Sequence, residues 1–215
     1  PPHRETLFIP SSPGPTRVTV VGNRGAPGVV SIVTMHGVGH NHRTGFGRLS
    51  RLLAEGGDLG EGQGKGGVVL YHVDTPGHEE DGVSIGSVAL SLEAQATQLF
   101  HITCHLGLSW FVGLGSGAGA NVLARYASDH PENVAGLVLA NCSAEAAGRK
   151  ERNMWLPVRF RLSFVGGIES AVDALVQMSF PPHSLQARSY RSGLSCMHGG
   201  NLLKYIDANL CRDEM

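Results

Sequence analysis

Apolar residues in this chain fall into short, nearly continuous runs separated by stretches of helical period. Residues 29–35 (VVSIVTM), 68–73 (VVLYHV), 110–114 (WFVGL) and 136–140 (GLVLA) are such runs. Runs of this kind suit parallel strands covered on both faces. Residues 18–21, after Thr16 and Arg17, form a short alternating stretch that predicts an outer strand. Between the runs, Ser91 can cap a helix carrying Leu92, Ala96, Leu99 and Leu106 on one face, with Gly107 as its stop. A second helix is predicted over residues 119–128, with Pro131 soon after. Strands alternating with helices imply a doubly wound parallel sheet.

From about Gly148 the pattern changes. Residues 155–180 are apolar with arginines, Pro181 and Pro182 break the run, and residues 201–210 form a last helical piece. No β-branched run after residue 140 could supply another central strand. Two regions are therefore expected: a sheet-bearing core over 1–147 and a helical cap over 148–215. Residues 55–67 (EGGDLGEGQGKGG) predict a flexible surface insert before a strand. A phosphate-cradling loop would need a helix after it, and no helix-forming stretch follows.

The chain of 215 residues can bury a sizeable core. Charged residues make up 16% and hydrophobic residues 41%, which argues against disorder. A formal net charge of −1 gives no electrostatic reason to expect nucleic acid or an anionic membrane as partner. Cys104, Cys142, Cys196 and Cys211 form no CxxC pair, and they read as reduced thiols of a cytoplasmic protein. No basic-then-apolar leader opens the chain. The most apolar stretch, residues 99–124, is broken by His101, His105 and several glycines, so no integral membrane segment is expected. The chain opens with Pro1 and Pro2, which suggests a start inside a longer product.

The richest local signal is residues 113–120 (GLGSGAGA), between an apolar run and a helix. A strand-turn-helix is where α/β-hydrolases place their nucleophile elbow, G-x-S-x-G. Residues two before and two after the nucleophile must be small, because strand and helix approach closely there. With Ser116 as nucleophile, Leu114 and Ala118 would flank it, and Leu114 is too bulky. Centred on Gly117, the elbow has Gly115 and Gly119 as flanks. The preferred register therefore puts glycine at the nucleophile position, where it takes φ > 0 without steric cost but brings no side-chain chemistry. His36 and Gly37 end a strand where hydrolases carry a His-Gly oxyanion loop, here expected to be vestigial.

Three rival signals are weaker. A literal G-x-S-x-G at residues 82–86 follows the acidic loop His78, Glu79, Glu80, Asp81 instead of an apolar strand. Gly113, Gly115 and Ala118 loosely fit a dinucleotide fingerprint, but Asn141, Cys142 and Ser143 follow the next strand where a ribose-binding acid belongs. His36, His40 and His42 could bind zinc, yet no H-x-H-x-D or H-E-x-x-H supplies further ligands. No metal and no cofactor are expected.

Residues 72–80 (HVDTPGHEE), 113–120, 123–127 (LARYA), His130-Pro131 and 136–139 (GLVL) resemble the NDRG (N-myc downstream-regulated) family. Residues 36–41 (HGVGHN) resemble that family's His-Asp-Val-Gly-Leu-Asn stretch, with Gly37 in place of its Asp. The resemblance runs from about Glu5 to Asp213, is specific in these blocks and loose after Gly148, and does not extend to the glycine-rich insert. It implies an α/β-hydrolase fold without the catalytic residues. It further implies cytoplasmic action in signalling, differentiation, growth control or stress response through protein partners, and in plant members a link to G-protein signalling. A complete fold of this class continues past the cap into two more strands, so the resemblance implies that the last strands are missing here. Two rival functions stand beside this one: a serine hydrolase using Ser116, with its triad partners lost by truncation, and a binding protein that keeps a small-ligand pocket between sheet and cap.

Overall fold

A computed structural model describes residues 3–11, 15–59, 67–79, 82–165, 167–181 and 184–215. Among the described residues one sheet holds the strands β1 (Arg4–Ile9), β2 (Thr16–Val21), β3 (Val30–Met35), β4 (Val68–Val73), β5 (Phe111–Ser116) and β6 (Val134–Ala140). Their spatial order is β1-β2-β4-β3-β5-β6. The pairs β3/β4, β3/β5 and β5/β6 are parallel, and β2 runs antiparallel to both β1 and β4. The predicted parallel sheet thus carries an antiparallel margin, as large α/β sheets often do.

Two expectations about strands need correction. Residues 18–21 are not outermost, because β1 pairs along the far side of β2 from Arg4–Val21 to Ile9–Thr16. β6 is not covered on both faces: it ends the sheet among the described residues, and Val138 is 56% exposed.

The helices α1 (His42–Gly56), α2 (Leu92–Leu106), α3 (Ala118–Asp129), α4 (Arg149–Phe160), α5 (Ile168–Ser179), α6 (Leu185–Ser195) and α7 (Gly199–Leu210) complete the fold, with a π turn (Arg161–Val165) after α4. Ser91 caps α2 through the Ala94 amide, and Gly107 closes it in the left-handed conformation. α1 starts at a reciprocal capping box between Asn41 and Thr44 and ends at Gly57, φ 74°. Its last turn takes in Glu55 and Gly56, and Leu59 packs at 1% exposure with Val21 and Leu70. The glycine-rich stretch therefore begins as structure, not as a free insert; residues 60–66 lie outside the described residues. So do Pro1, Pro2, Glu80, Asp81 and Pro182.

One buried cluster joins the sheet to α2 and α3 through Val33, Tyr71, Leu99, Phe111, Leu123 and Tyr126. A second is built mainly from residues after 148, among them Val158, Leu175, Tyr190, Leu194, Leu202 and Ile206, with Ala147 a member and Val38 packed against it. α7 contributes to both, since Tyr205 and Ala208 belong to the first cluster. Among the described residues no helix is long and apolar enough to cross a membrane, and the four cysteines are free thiols.

Candidate functional site

β5 ends at Ser116 and α3 begins at Ala118, so the whole strand-to-helix turn rests on Gly117. Gly117 has φ 53° and ψ −122°, a region that side-chain-bearing residues rarely occupy. Its amide donates to the Ala140 carbonyl at 2.8 Å, and its carbonyl accepts from the Asn121 amide at 3.1 Å. The flanks are crowded. A Cβ on Gly115 would stand 2.6 Å from Ala120 Cα, and one on Gly119 would stand 2.4 Å from the Met35 carbonyl oxygen. At Gly117 itself the nearest atom to such a Cβ would be Gly37 Cα, at 3.7 Å. The tip has room for a side chain and carries none.

Ser116 points elsewhere: its Oγ accepts from the Gly37 amide at 3.2 Å. Gly37 therefore lies against the turn, with His36 one residue behind. His36 is buried, its Nε2 accepts from the Thr75 amide at 2.9 Å, and its carbonyl accepts from the Tyr205 hydroxyl at 3.0 Å. With Nε2 an acceptor, the neutral ring's proton sits on Nδ1, which donates to the Gly37 carbonyl at 3.0 Å. Burial pushes the His36 pKa down, against the attraction of Asp74.

The residues that sequence reasoning missed lie behind this turn. Asp74, fully buried just past β4, accepts from the His42 amide at 2.7 Å and from His42 Nδ1 at 2.6 Å. Arg4 Nη2 donates to His42 Nε2 at 2.8 Å. An arginine can only donate, so Nε2 is the acceptor and Nδ1 carries the proton given to Asp74. The result is a chain Arg4–His42–Asp74 with one possible tautomer. Burial works to raise the Asp74 pKa, but the bonds and charge interactions with His42 and His36 together hold it below its usual range. The available signal was an acid placed directly after an apolar strand, at the carboxyl end where open α/β sheets put polar sites.

His40 is stacked on Tyr190 with ring centres 4.4 Å apart. Burial lowers its pKa to about 4. Among the described residues no group of three His, Cys, Asp or Glu is arranged to hold a metal. Ser84 of the literal G-x-S-x-G is exposed and turned back on its own loop, accepting from the Gly86 amide at 3.2 Å.

A cavity of about 520 Å³ opens over the turn between sheet and helices. Gly37, Ser116, Gly117 and Asn121 line its floor, and Trp155 and Phe180 its apolar side. Arg212, also at its wall, is tied by two bonds to Glu151, at 2.9 and 2.7 Å, and holds α4 against the end of α7.

A family model described as the Ndr family matches residues 9–215. The chain belongs to the Ndr family. Protein NDRG2 of Mus musculus is 36% identical over 146 residues, covering 67% of this chain and 38% of that protein. Protein NDRG1-A of Xenopus laevis is 39% identical over 119 residues, 54% of this chain and 28% of that protein. The matched part of this Ndr chain thus spans less than two-fifths of those relatives' length. Among solved structures, a carboxylesterase of Nitrososphaera gargenis superposes with a TM-score of 0.75 at 16% identity, covering 98% of this chain and 73% of that one. A hydrolase of Pseudomonas aeruginosa gives 0.76 at 16% identity, over 97% and 74%. These likenesses establish the α/β-hydrolase fold of this Ndr chain and carry nothing about activity.

Proposed function

We propose that this chain is a non-catalytic α/β-hydrolase-fold protein that acts in signalling, differentiation or stress response by binding protein partners in the cytoplasm. On this reading residues 1–147 are the hydrolase-like core, 148–215 the cap, Gly115, Ser116, Gly117 and Gly119 a degenerate nucleophile elbow, and His36-Gly37 a vestigial oxyanion loop. The observation that carries the reading is Gly117 at the tip of the turn, with φ 53° and ψ −122° and no side chain to attack with. Family membership supports a role exerted through binding. A triad needs a nucleophile bonded to a base that a third group orients. Ser116 is bonded instead to a backbone amide, and the oriented histidine, His42, spends its outer nitrogen on Arg4. The rival reading, a serine hydrolase using Ser116, predicts turnover of short nitrophenyl esters that Ser116→Ala abolishes. The present reading predicts no turnover above background in either protein.

A second reading draws on the cavity over the turn, whose volume lies within the range of small-molecule sites. A retained ligand pocket predicts a thermal shift with at least one member of a metabolite panel, and a shift that Trp155→Ala removes would favour it.

A further inference from the structure

α4 and the π turn behind it present two faces of opposite character. Trp155, Val158 and Leu162 pack into the second buried cluster. On the other side Leu156, Phe160 and Phe164 recur every four residues and are 57%, 58% and 79% exposed. The rings of Phe160 and Phe164 lie 5.4 Å apart, so the stripe is continuous at that end. Large apolar side chains scattered singly on a surface need no explanation, but a contiguous stripe of them does.

The same seventeen residues, Arg149 to Val165, hold five basic side chains and one acid. Arg149, Lys150 and Arg152 are exposed at the start of the helix. Arg159 and Arg161 flank Phe160 in sequence, and Arg159 is salt-bridged to Asp207 at 2.7 Å. The acid, Glu151, faces inward to Arg212. The chain's net charge of −1 therefore conceals a strongly basic strip.

An exposed apolar stripe along a helix, rimmed by cations, is the composition of helices that lie in the plane of a membrane interface. We propose that the outer face of α4 and the π turn docks this protein peripherally on an anionic phospholipid bilayer, with Leu156, Phe160 and Phe164 entering the interface and the basic residues at the headgroups. A second copy of this face would set cations against cations. A nucleic acid would leave the aliphatic Leu156 without a use. An acidic groove that closes around a helix needs that helix free, and α4 is held along its inner side by Trp155 and Val158. A flat anionic surface meets both the charge and the one-sided exposure.

The test is flotation of the full chain with phosphatidylcholine vesicles, with and without phosphatidylserine. Binding is expected only to the anionic vesicles and is expected to fall with salt. Each cation at such a surface is worth roughly five-fold in binding, so Arg149→Glu with Lys150→Glu is expected to weaken binding by more than roughly 25-fold. Phe160→Ser with Phe164→Ser is expected to weaken it by more than roughly ten-fold, through lost apolar burial. All four positions are on the surface, and unchanged thermal melts show that each variant folds; should one fail, the other variant and the salt series decide. No binding, equal binding to both vesicle types, or full binding by both variants overturns the proposal. So does a discrete dimer that the phenylalanine variant disperses while vesicles stay unbound.

Discussion

Replacing Gly117 by alanine isolates the backbone of the turn from its packing. The added Cβ would meet nothing closer than 3.7 Å, so no clash contributes. What remains is the conformation, φ 53° and ψ −122°, which costs a non-glycine residue about 1–3 kcal/mol. The unfolded chain also loses freedom when glycine becomes alanine, which returns about 0.4–1 kcal/mol. The net expectation is a loss of about 1–2 kcal/mol, or about 2–8 °C in Tm for a chain of this size. Gly119→Ala is the contrast. Its Cβ would sit 2.4 and 2.5 Å from the carbonyl oxygens of Met35 and His36, so β3 and α3 must separate, at about 3 kcal/mol or more. Its gain in helix propensity, about 1 kcal/mol, does not offset that. Urea denaturation of the parent and both variants measures the difference from the midpoints at constant m. A neutral Gly117→Ala, or a Gly119→Ala milder than it, would refute the assignment of strain to the tip and crowding to the flank.

Asp74→Asn should destabilise by about 1–3 kcal/mol, because an amide donor would then face a His42 proton that Arg4 prevents from moving to the other nitrogen. Adding Arg4→Met should recover part of the loss in a double-mutant cycle, and strict additivity would show that the three residues are not coupled. The histidines give a pH dependence with a definite sign. Burial lowers His40 to about 4 and His72 and His78 to about 3, and lowers His36 as well, from an ordinary 6.5. Below pH 6.5 the unfolded chain takes up protons that the folded one refuses, so stability is full above 6.5 and lost toward pH 4, by up to about 1.4 kcal/mol per pH unit for each group. Melts that do not change between pH 7.5 and pH 5 would contradict it. The protein should self-associate through β6, which ends the sheet among the described residues and exposes Val138 and Leu139. Val138→Lys should reduce the effect in size-exclusion chromatography, and a sharp monomer from the unmodified chain would remove the argument.

The interior strands were legible because residues shielded on both faces need no polar alternation. β1 was not, since RETLFI mixes charge with apolar residues and buries only Ile9 fully. α1 was hidden by Gly45, Gly47 and Gly56 and by a buried set of only His42 and Phe46, although the pairing of Asn41 with Thr44 at its start was readable as a cap. The exposure of β6 could not be read, because its apolar run looks like that of an interior strand and only its place in the sheet distinguishes the two. At the site, Gly115, Gly117 and Gly119 were readable because the small residues that a tight strand-to-helix turn demands stand together in sequence, although the atoms that crowd Gly119 come from Met35 and His36, far away in the chain. Arg4, His42 and Asp74 were not, because the strand order β1-β2-β4-β3 brings together residues far apart in the chain. The net charge concealed the basic face of α4 for a related reason: segregation on a surface leaves the sum unchanged.

The central claim is that the turn after β5 offers no nucleophile, with Gly117 bare at its tip and Ser116 held by the Gly37 amide. Intact-mass spectrometry after incubation with a fluorophosphonate, which forms a stable adduct only with an activated serine, addresses this most directly. The account predicts unmodified protein, with no adduct on Ser116 even at long incubation. A stoichiometric adduct that maps to Ser116 and disappears in Ser116→Ala would contradict it.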